Sequence, residues 1–279
     1  MSIVSPTPNN PRRTEDALQR ATAAVNQGRL AEAEQVARGV LGSEPKNAVA
    51  LHLLGTALLL QDRPADAIEP LEGAVRVLRD SSVDTRLAMA LRLVGRTDDA
   101  LSRLKRATKR EPPHAAAFHE LGYLLFTLRR YDEALAVVRR GIEIAPITPE
   151  LWVLLGGIGH ARRDLPDAKA AYARALSISP NLPAAHYGMG AVLMEEAAFA
   201  QAAEHLRFAS MSDPADLQAR LKLGGCLLEL GQPDAAMACL RAGVRAGLPK
   251  AYGMSLRVLV SAGQGRFWLR PSRAGRSLD

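Results

Sequence analysis

The sequence predicts an all-α fold, an α-solenoid of stacked antiparallel helix pairs, from three ladders of residues that share one period. Pro112, Pro146, Pro180 and Pro214 stand 34 residues apart, and Gly122, Gly156, Gly190 and Gly224 keep the same step. Ala134, Ala168, Ala202 and Ala236 form the third ladder. A fixed period of this length means one supersecondary element stacked on copies of itself. Such stacks present a long binding surface and seldom a catalytic pocket.

Within one copy, Phe118, Leu121, Gly122 and Leu125 fall at i, i+3, i+4 and i+7, which is one face of a first helix. Ala134, Val138 and Gly141 mark a second helix after a turn around Arg129–Asp132. Glycine and alanine at facing steps let the two backbones approach, and the large residues fill the space on either side. The proline that follows ends the second helix, because its ring supplies no N–H and crowds the preceding turn. Each hairpin keeps apolar faces on both sides, and stacking buries them.

Seven copies start near Thr14, Ala48, Ser81, Ala115, Pro149, Pro183 and Leu217. The first has Arg20 where leucine is expected, as suits a terminal copy with one solvated side. Between Ala67 and Ala100 the step is 33, and Arg79 replaces the proline. A residue lost around Leu78–Val83 predicts a local change of pitch. Pro70, inside the second helix of that copy, predicts a kink and a bend of the solenoid. An amphipathic helix over 251–262 occupies the first-helix position of an eighth copy and is expected to close the stack. Residues 1–13, rich in Pro, Ser and Asn, are expected to be disordered. The tail over 263–279 is Gly- and Arg-rich around Phe267-Trp268-Leu269, a triplet that either folds back over the closing helix or docks on a partner or a membrane surface.

The fullest copy runs from Pro149 to Leu182, with Trp152, Leu155 and Gly156 followed by Ala168, Tyr172, Ala175 and Pro180. This resembles the tetratricopeptide repeat, departing at Gly159 where an aromatic is usual. Neighbouring copies agree through His186, Met189, Gly190, Leu193, Ala202, Leu206 and Ala209, and through Leu121, Gly122, Leu125, Ala134, Val138 and Gly141. The closing helix is similar to those that cap many members of that family.

Composition bounds the function. The 279 residues are 48% hydrophobic and only 4% aromatic, so alanine and leucine must carry a close-packed helical core. No run near the start reads as a signal peptide, and no stretch is long enough to span a membrane, so a cytoplasmic chain is expected. Cys226 replaces small and branched residues at the same register (Ala57, Ala90, Leu124, Ile158, Val192), and it and Cys239 are expected as free thiols. Nucleotide-binding, zinc-hydrolase and serine-hydrolase motifs are missing, and the six histidines lack metal-ligand spacing. Copies and closing helix leave no room for a catalytic domain, so no enzyme activity, cofactor or metal is expected.

The resemblance implies where a partner would lie, since in that family the first helices line a concave groove. Carried over by register, the positions include His52 and Thr56, then Met89 and Arg92, then His119, Tyr123 and Phe126. His160, Tyr187 and Met194 continue the series, alongside Leu59, Thr85, Val153, Gly157, Ala191, Leu221, Gly225 and Leu228. Exposed aromatic, Met and His residues of this kind suit a protein or peptide ligand, an extended segment or a short helix. Leu59, Leu228 and Phe126 are also candidates for packing against the next helix. Family members that clamp a terminal carboxylate carry Lys and Asn at the fifth and ninth positions of the repeat. This sequence does not.

The second helices carry Arg38, Lys105, Arg106, Arg139, Arg140, Arg174, Arg207 and Arg241 at repeating positions, extended by Lys109 and Arg110. With a net charge of +7, such a ridge offers an alternative, binding of nucleic acid or an acidic partner. The favoured reading is solvated basic residues near helix C-termini, so nucleic acid is not the expected partner. A second alternative is a regulatory subunit for a separately encoded enzyme such as a glycosyltransferase, because some family members carry that domain fused. The sequence leaves oligomeric state open. The expectation is a non-enzymatic scaffold or adaptor.

Overall fold

The computed structural model describes residues 11–212 and 216–245, together with Gly253. These form fourteen helices in seven pairs, without a strand among the described residues. The pairs are α1 (Pro11–Asn26) with α2 (Leu30–Ser43), α3 (Ala48–Leu60) with α4 (Pro64–Leu78), and α5 (Ser81–Leu93) with α6 (Thr97–Ala107). Then come α7 (Ala115–Thr127) with α8 (Tyr131–Ile144), and α9 (Pro149–Ala161) with α10 (Leu165–Ile178). The last are α11 (Pro183–Glu195) with α12 (Phe199–Ser212), and α13 (Leu217–Glu229) with α14 (Pro233–Arg245). The chain divides into two compact units between Ile144 and Ala145, one holding α1–α8 and the other α9–α14.

The small-residue ladder sits where two helices touch. A Cβ on Gly55 would lie 2.5 Å from Leu71 Cγ, and one on Gly156 would lie 2.7 Å from Tyr172 Cε1. Gly190 meets Leu206 and Gly224 meets Leu240 in the same way. Gly55, Gly156, Gly190 and Gly224 thus each receive the large residue of their own second helix, and Leu71, Leu206 and Leu240 are fully buried. Within each unit, consecutive helices pack. The first helices also touch one another (α1 with α3, α3 with α5, α5 with α7; α9 with α11, α11 with α13). No second helix touches another second helix among the described residues. The first helices therefore line the tighter, inner side of each unit.

The turn inside each pair repeats without repeating its sequence. Gly28, Asp62, Gly95, Arg129, Arg163, Ala197 and Gly231 all have positive φ, between 57° and 83°. The residue after each donates its N–H five residues back, as from Arg63 to Leu58 and from Ala198 to Leu193. This is the Schellman ending of a helix, which a left-handed residue makes possible. At the other ends, Asn47 accepts from Ala50 N at 3.0 Å and Asp216 from Gln218 N at 2.8 Å. These side chains satisfy helix N–H groups that have no intrahelical partner.

Several expectations need correction or fall elsewhere. Helix α1 begins at Pro11, so the expected disordered segment gives up its last residues, Pro11–Arg13, to the helix. The rest of it, the closing helix over 251–262 (apart from helical Gly253) and the tail over 263–279 lie outside the described residues. Helix α4 continues through Pro70, which forgoes only its own bond to the carbonyl four residues back. The missing residue leaves a two-residue connection, Arg79–Asp80, with Arg79 left-handed at φ 47°. Yet α4 packs on α5 as fully as α2 packs on α3; the loosest consecutive seam of that unit is α6–α7. There α6 has only 11 residues and a long connection, 108–114, follows it.

Candidate partner-binding surfaces

The inner face of the first unit is built by α3, α5 and α7. Tyr123, on α7, is 38% exposed, the most open aromatic side chain of that face. The Arg92 guanidinium lies 5.2 Å from its ring centroid and the His119 ring stacks at 6.5 Å. Arg92 Nη2 also reaches Glu120 Oε2 at 3.6 Å, and His119 Nδ1 reaches Glu120 Oε1 at 3.5 Å. An exposed ring held between a cation and an imidazole keeps its orientation, so it offers a preformed apolar face with a polar rim. Met89 is half-buried, and Phe126 is half-buried against Tyr131, with ring centroids 5.8 Å apart.

Thr56 is the clear departure. It is 98% removed from solvent, and its Oγ1 has no partner, so it belongs to the α3 packing layer rather than to an open surface. Leu59, Thr85, Ala191 and Leu221 are buried as well, and Thr85 Oγ1 donates back to the Ser81 carbonyl at 2.7 Å. Leu59, Thr85 and Ala191 are drawn in by the next first helix, which packs against their own. His52 is half-buried and its Nε2 has no partner; burial, aided by the charge of Arg86, pushes its pKa down to about 4. At neutral pH it is an uncharged imidazole.

In the second unit, α9, α11 and α13 supply the inner face. His160 Nε2 lies 2.8 Å from Glu195 Oε1, and Arg163 Nη1 donates to Glu195 Oε2 at 2.6 Å. The His160 hydrogen bond, with Arg163 behind it, holds the Glu195 carboxyl below the usual range. Tyr187 is half-buried with the Lys222 ammonium 5.7 Å from its ring, and burial raises its pKa. Met194, Val153 and Leu228 pack against the buried core of α10–α14. His160, Tyr187 and Met194 are therefore partly occupied by the fold itself.

The basic ridge is also less free than the sequence implied. Asp84 is fully buried on α5, where the matching positions hold Phe118 and Trp152. Arg106 Nη2 reaches Asp84 Oδ1 at 2.9 Å, Arg110 Nε reaches Oδ2 at 2.7 Å, and Arg103 Nη1 lies 3.4 Å from Oδ1. Arg110 Nη1 also donates to the Arg79 carbonyl at 2.7 Å, tying the long α6–α7 connection to the short α4–α5 one. Arg106 and Arg110 thus neutralise a buried carboxylate, while Lys105, Lys109, Arg139 and Arg140 remain exposed. Sequence reasoning missed this cluster; an acid at the register that holds Phe118 and Trp152 in other repeats is the signal that could have found it. Neither cysteine is bonded; burial raises both thiols, Cys226 to about 11. Among the described residues no group of His, Cys, Asp and Glu is placed to hold a metal ion, and no helix is long and apolar enough to cross a membrane.

Two sequence models described as tetratricopeptide repeat match the chain, one over 18–81, 85–146 and 121–183, the other over 193–253. The chain belongs to the tetratricopeptide repeat family. Solved tetratricopeptide repeat structures share the fold at low identity. A chain of the APC/C hetero-tetramer Cut9-Hcn1 is 15% identical with a TM-score of 0.74; the match covers 88% of this chain and 52% of that one, so this chain spans about half its length. A tetratricopeptide repeat protein from Parabacteroides merdae is 16% identical with a TM-score of 0.64, over 88% of this chain and 99% of that one. MamA is 21% identical with a TM-score of 0.51, over 62% of this chain and 94% of that one. No curated protein matches. In repeat numbering, Tyr123 and Met89 stand at the ninth position and Arg92 and Phe126 at the twelfth. Register alone did not separate the open ninth position of α7 from the closed ninth position of α3.

Proposed function

We propose that this chain is a non-catalytic scaffold that holds a partner polypeptide along the inner face of its first helices. Tetratricopeptide repeat proteins generally act as protein-interaction scaffolds, and stacked helix pairs give such a partner a long surface. The observation that carries the reading is Tyr123, open to solvent yet fixed by Arg92 and His119. A rigid aromatic of this kind contributes contact area without losing rotamer freedom on binding, which is what a binding anchor requires. In the second unit Tyr187 beside Lys222 offers a similar, more buried pairing. A cytoplasmic location belongs to the same proposal.

The test is affinity capture with wild type beside the Tyr123→Ala/Tyr187→Ala variant. Specific partners are expected with wild type and lost with the variant, while helicity and melting stay close to wild type. Retention of every captured protein by the variant contradicts the site. Nucleic-acid binding through Lys105, Lys109, Arg139 and Arg140 would instead appear as an affinity for RNA that falls steeply with salt.

A further inference from the structure

Where α3 meets α5 on the inner side of the first unit, three polar atoms are buried without a hydrogen-bond partner: His52 Nε2, Thr56 Oγ1 and Arg86 Nε. Register explains how they come together. One step along the stack, the twelfth residue of α5's repeat, Arg92, pairs with the sixth residue of the next, Glu120. The same step one repeat earlier sets Leu59 opposite Arg86. Thr56 and His52 lie three and seven residues before Leu59, on the same stripe of α3. Arg86 lies close enough to His52 to be the second cause, after burial, of its lowered pKa.

Arg86 makes no hydrogen bond or ion pair among the described residues, and burial alone depresses its guanidinium. Glu120 compensates Arg92, but α3 offers Leu59, Thr56 and His52, none of them an anion at neutral pH. An unpaired, partly buried cation destabilises the free protein, and an apolar side chain of similar size would serve the fold better. Thr56 Oγ1 and His52 Nε2 are themselves closed off by packing, so the Arg86 guanidinium is the group left to meet an incoming anion. All of this suits a single negative charge. One guanidinium balances one carboxylate, whereas a phosphate dianion would leave excess charge in a half-buried seam.

We propose that the α3–α5 seam is a carboxylate seat: it takes the side chain of an aspartate or glutamate from an extended partner segment, held by the terminal nitrogens of the Arg86 guanidinium. The seat rests on the inner-face reading above and adds to it a required acid. It differs from a clamp on a chain end, because the segment that continues to Tyr123 on α7 must run past the seam.

The probe is a displayed library of random dodecapeptides panned against the full chain, in parallel with Arg86→Met and Tyr123→Ala. Peptides selected by wild type are expected to share Asp or Glu at one fixed position. Resynthesised with an amidated C-terminus, such a peptide should bind Arg86→Met roughly 10- to 100-fold more weakly, the range for a lost charge-assisted bond. Its Glu→Gln or Asp→Asn form should bind wild type equally weakly and lose nothing further on Arg86→Met. Arg86→Met itself should melt no lower than wild type, because it removes a charge the fold does not pair. A fall in its melting temperature, selected peptides without a fixed acid, or affinity that vanishes on amidation each overturns the seat. Peptides lost on Tyr123→Ala but kept on Arg86→Met leave the inner-face reading standing and overturn the seat alone. Peptides indifferent to Tyr123→Ala overturn both.

Discussion

Replacing Gly55 by alanine puts a methyl group 2.5 Å from Leu71 Cγ, 2.8 Å from Leu71 Cδ2 and 3.2 Å from the Ala67 carbonyl oxygen. Carbon atoms in contact normally sit about 3.5–4.0 Å apart. Leu71 is fully buried and cannot swing away, and the carbonyl belongs to the α4 backbone. The helices α3 and α4 must therefore separate by roughly 1 Å, an overpacking that costs about 1–3 kcal/mol. Alanine's better helix propensity returns about 1 kcal/mol, so the expected net loss is up to about 2 kcal/mol. Gly39 is the control. It lies inside α2, exposed, and a Cβ there meets nothing within 4 Å. Gly39→Ala should therefore gain about 0.5–1 kcal/mol. Urea midpoints followed by circular dichroism, with Gly55→Ala, Gly39→Ala and wild type compared, read both signs. The pair Gly55→Ala/Leu71→Ala should lose less than the sum of its two single changes, because truncating Leu71 removes the clash. A Gly55→Ala midpoint at or above wild type would refute close approach as the reason for the glycine.

Asp84→Ala leaves three arginines beside an empty site in a buried position, so a loss of about 3–5 kcal/mol is expected, visible as a lower melting temperature. Ala197 holds φ at 57° in the turn between α11 and α12; Ala197→Gly should stabilise by about 1 kcal/mol, and an unchanged or lower urea midpoint would contradict the turn geometry. His52 should make stability pH-dependent. Its folded pKa of about 4 lies below the ordinary 6.5, so the unfolded chain binds the extra proton between those values. Stability is then complete above about pH 6.5 and falls as pH drops towards 4; the full shift is worth about 3 kcal/mol and solvent screening at a half-buried ring brings it to about 2 kcal/mol. His52→Phe should flatten the profile in that window, and an unchanged slope would exclude His52 as its source. Cys226, fully buried and with its thiol raised to about 11, should alkylate in the native state at mildly alkaline pH at least about two orders of magnitude more slowly than a free thiol, a rate that mass spectrometry of timed samples follows.

The period was the most legible feature of the sequence, because stacking forces the same small residue to the same contact in every repeat, and Gly156, Gly190 and Gly224 each meet the large side chain that the register implied. The left-handed turn was only half-visible. Glycine marks it at positions 28, 95 and 231, whereas Asp62, Arg129, Arg163 and Ala197 adopt the same conformation because the surrounding helix pair imposes it. The start of α1 at Pro11 was hidden by a polar composition that reads as disorder, although proline is well suited to a first helical turn. Exposure within the inner face was the least legible quantity. Thr56 and Tyr123 share one register position, and only the packing of the neighbouring first helix decides that one is buried and the other open. The partners of Arg106 and Arg110 escaped notice for a related reason. A helical ladder describes same-helix neighbours, while Asp84 on α5 pairs with Arg106 on α6 and with Arg110 in the connection that follows it.

The most direct measurement of the central claim places a photoreactive benzoylphenylalanine at Tyr123, on the inner face of α7, and separately at Arg139, exposed on α8. Each form, irradiated with the peptides selected by the wild-type chain, is digested and sequenced by mass spectrometry. The account predicts crosslinks to peptide from position 123 and none above background from position 139. Equal crosslinking from both positions, or crosslinking from 139 alone, would contradict it.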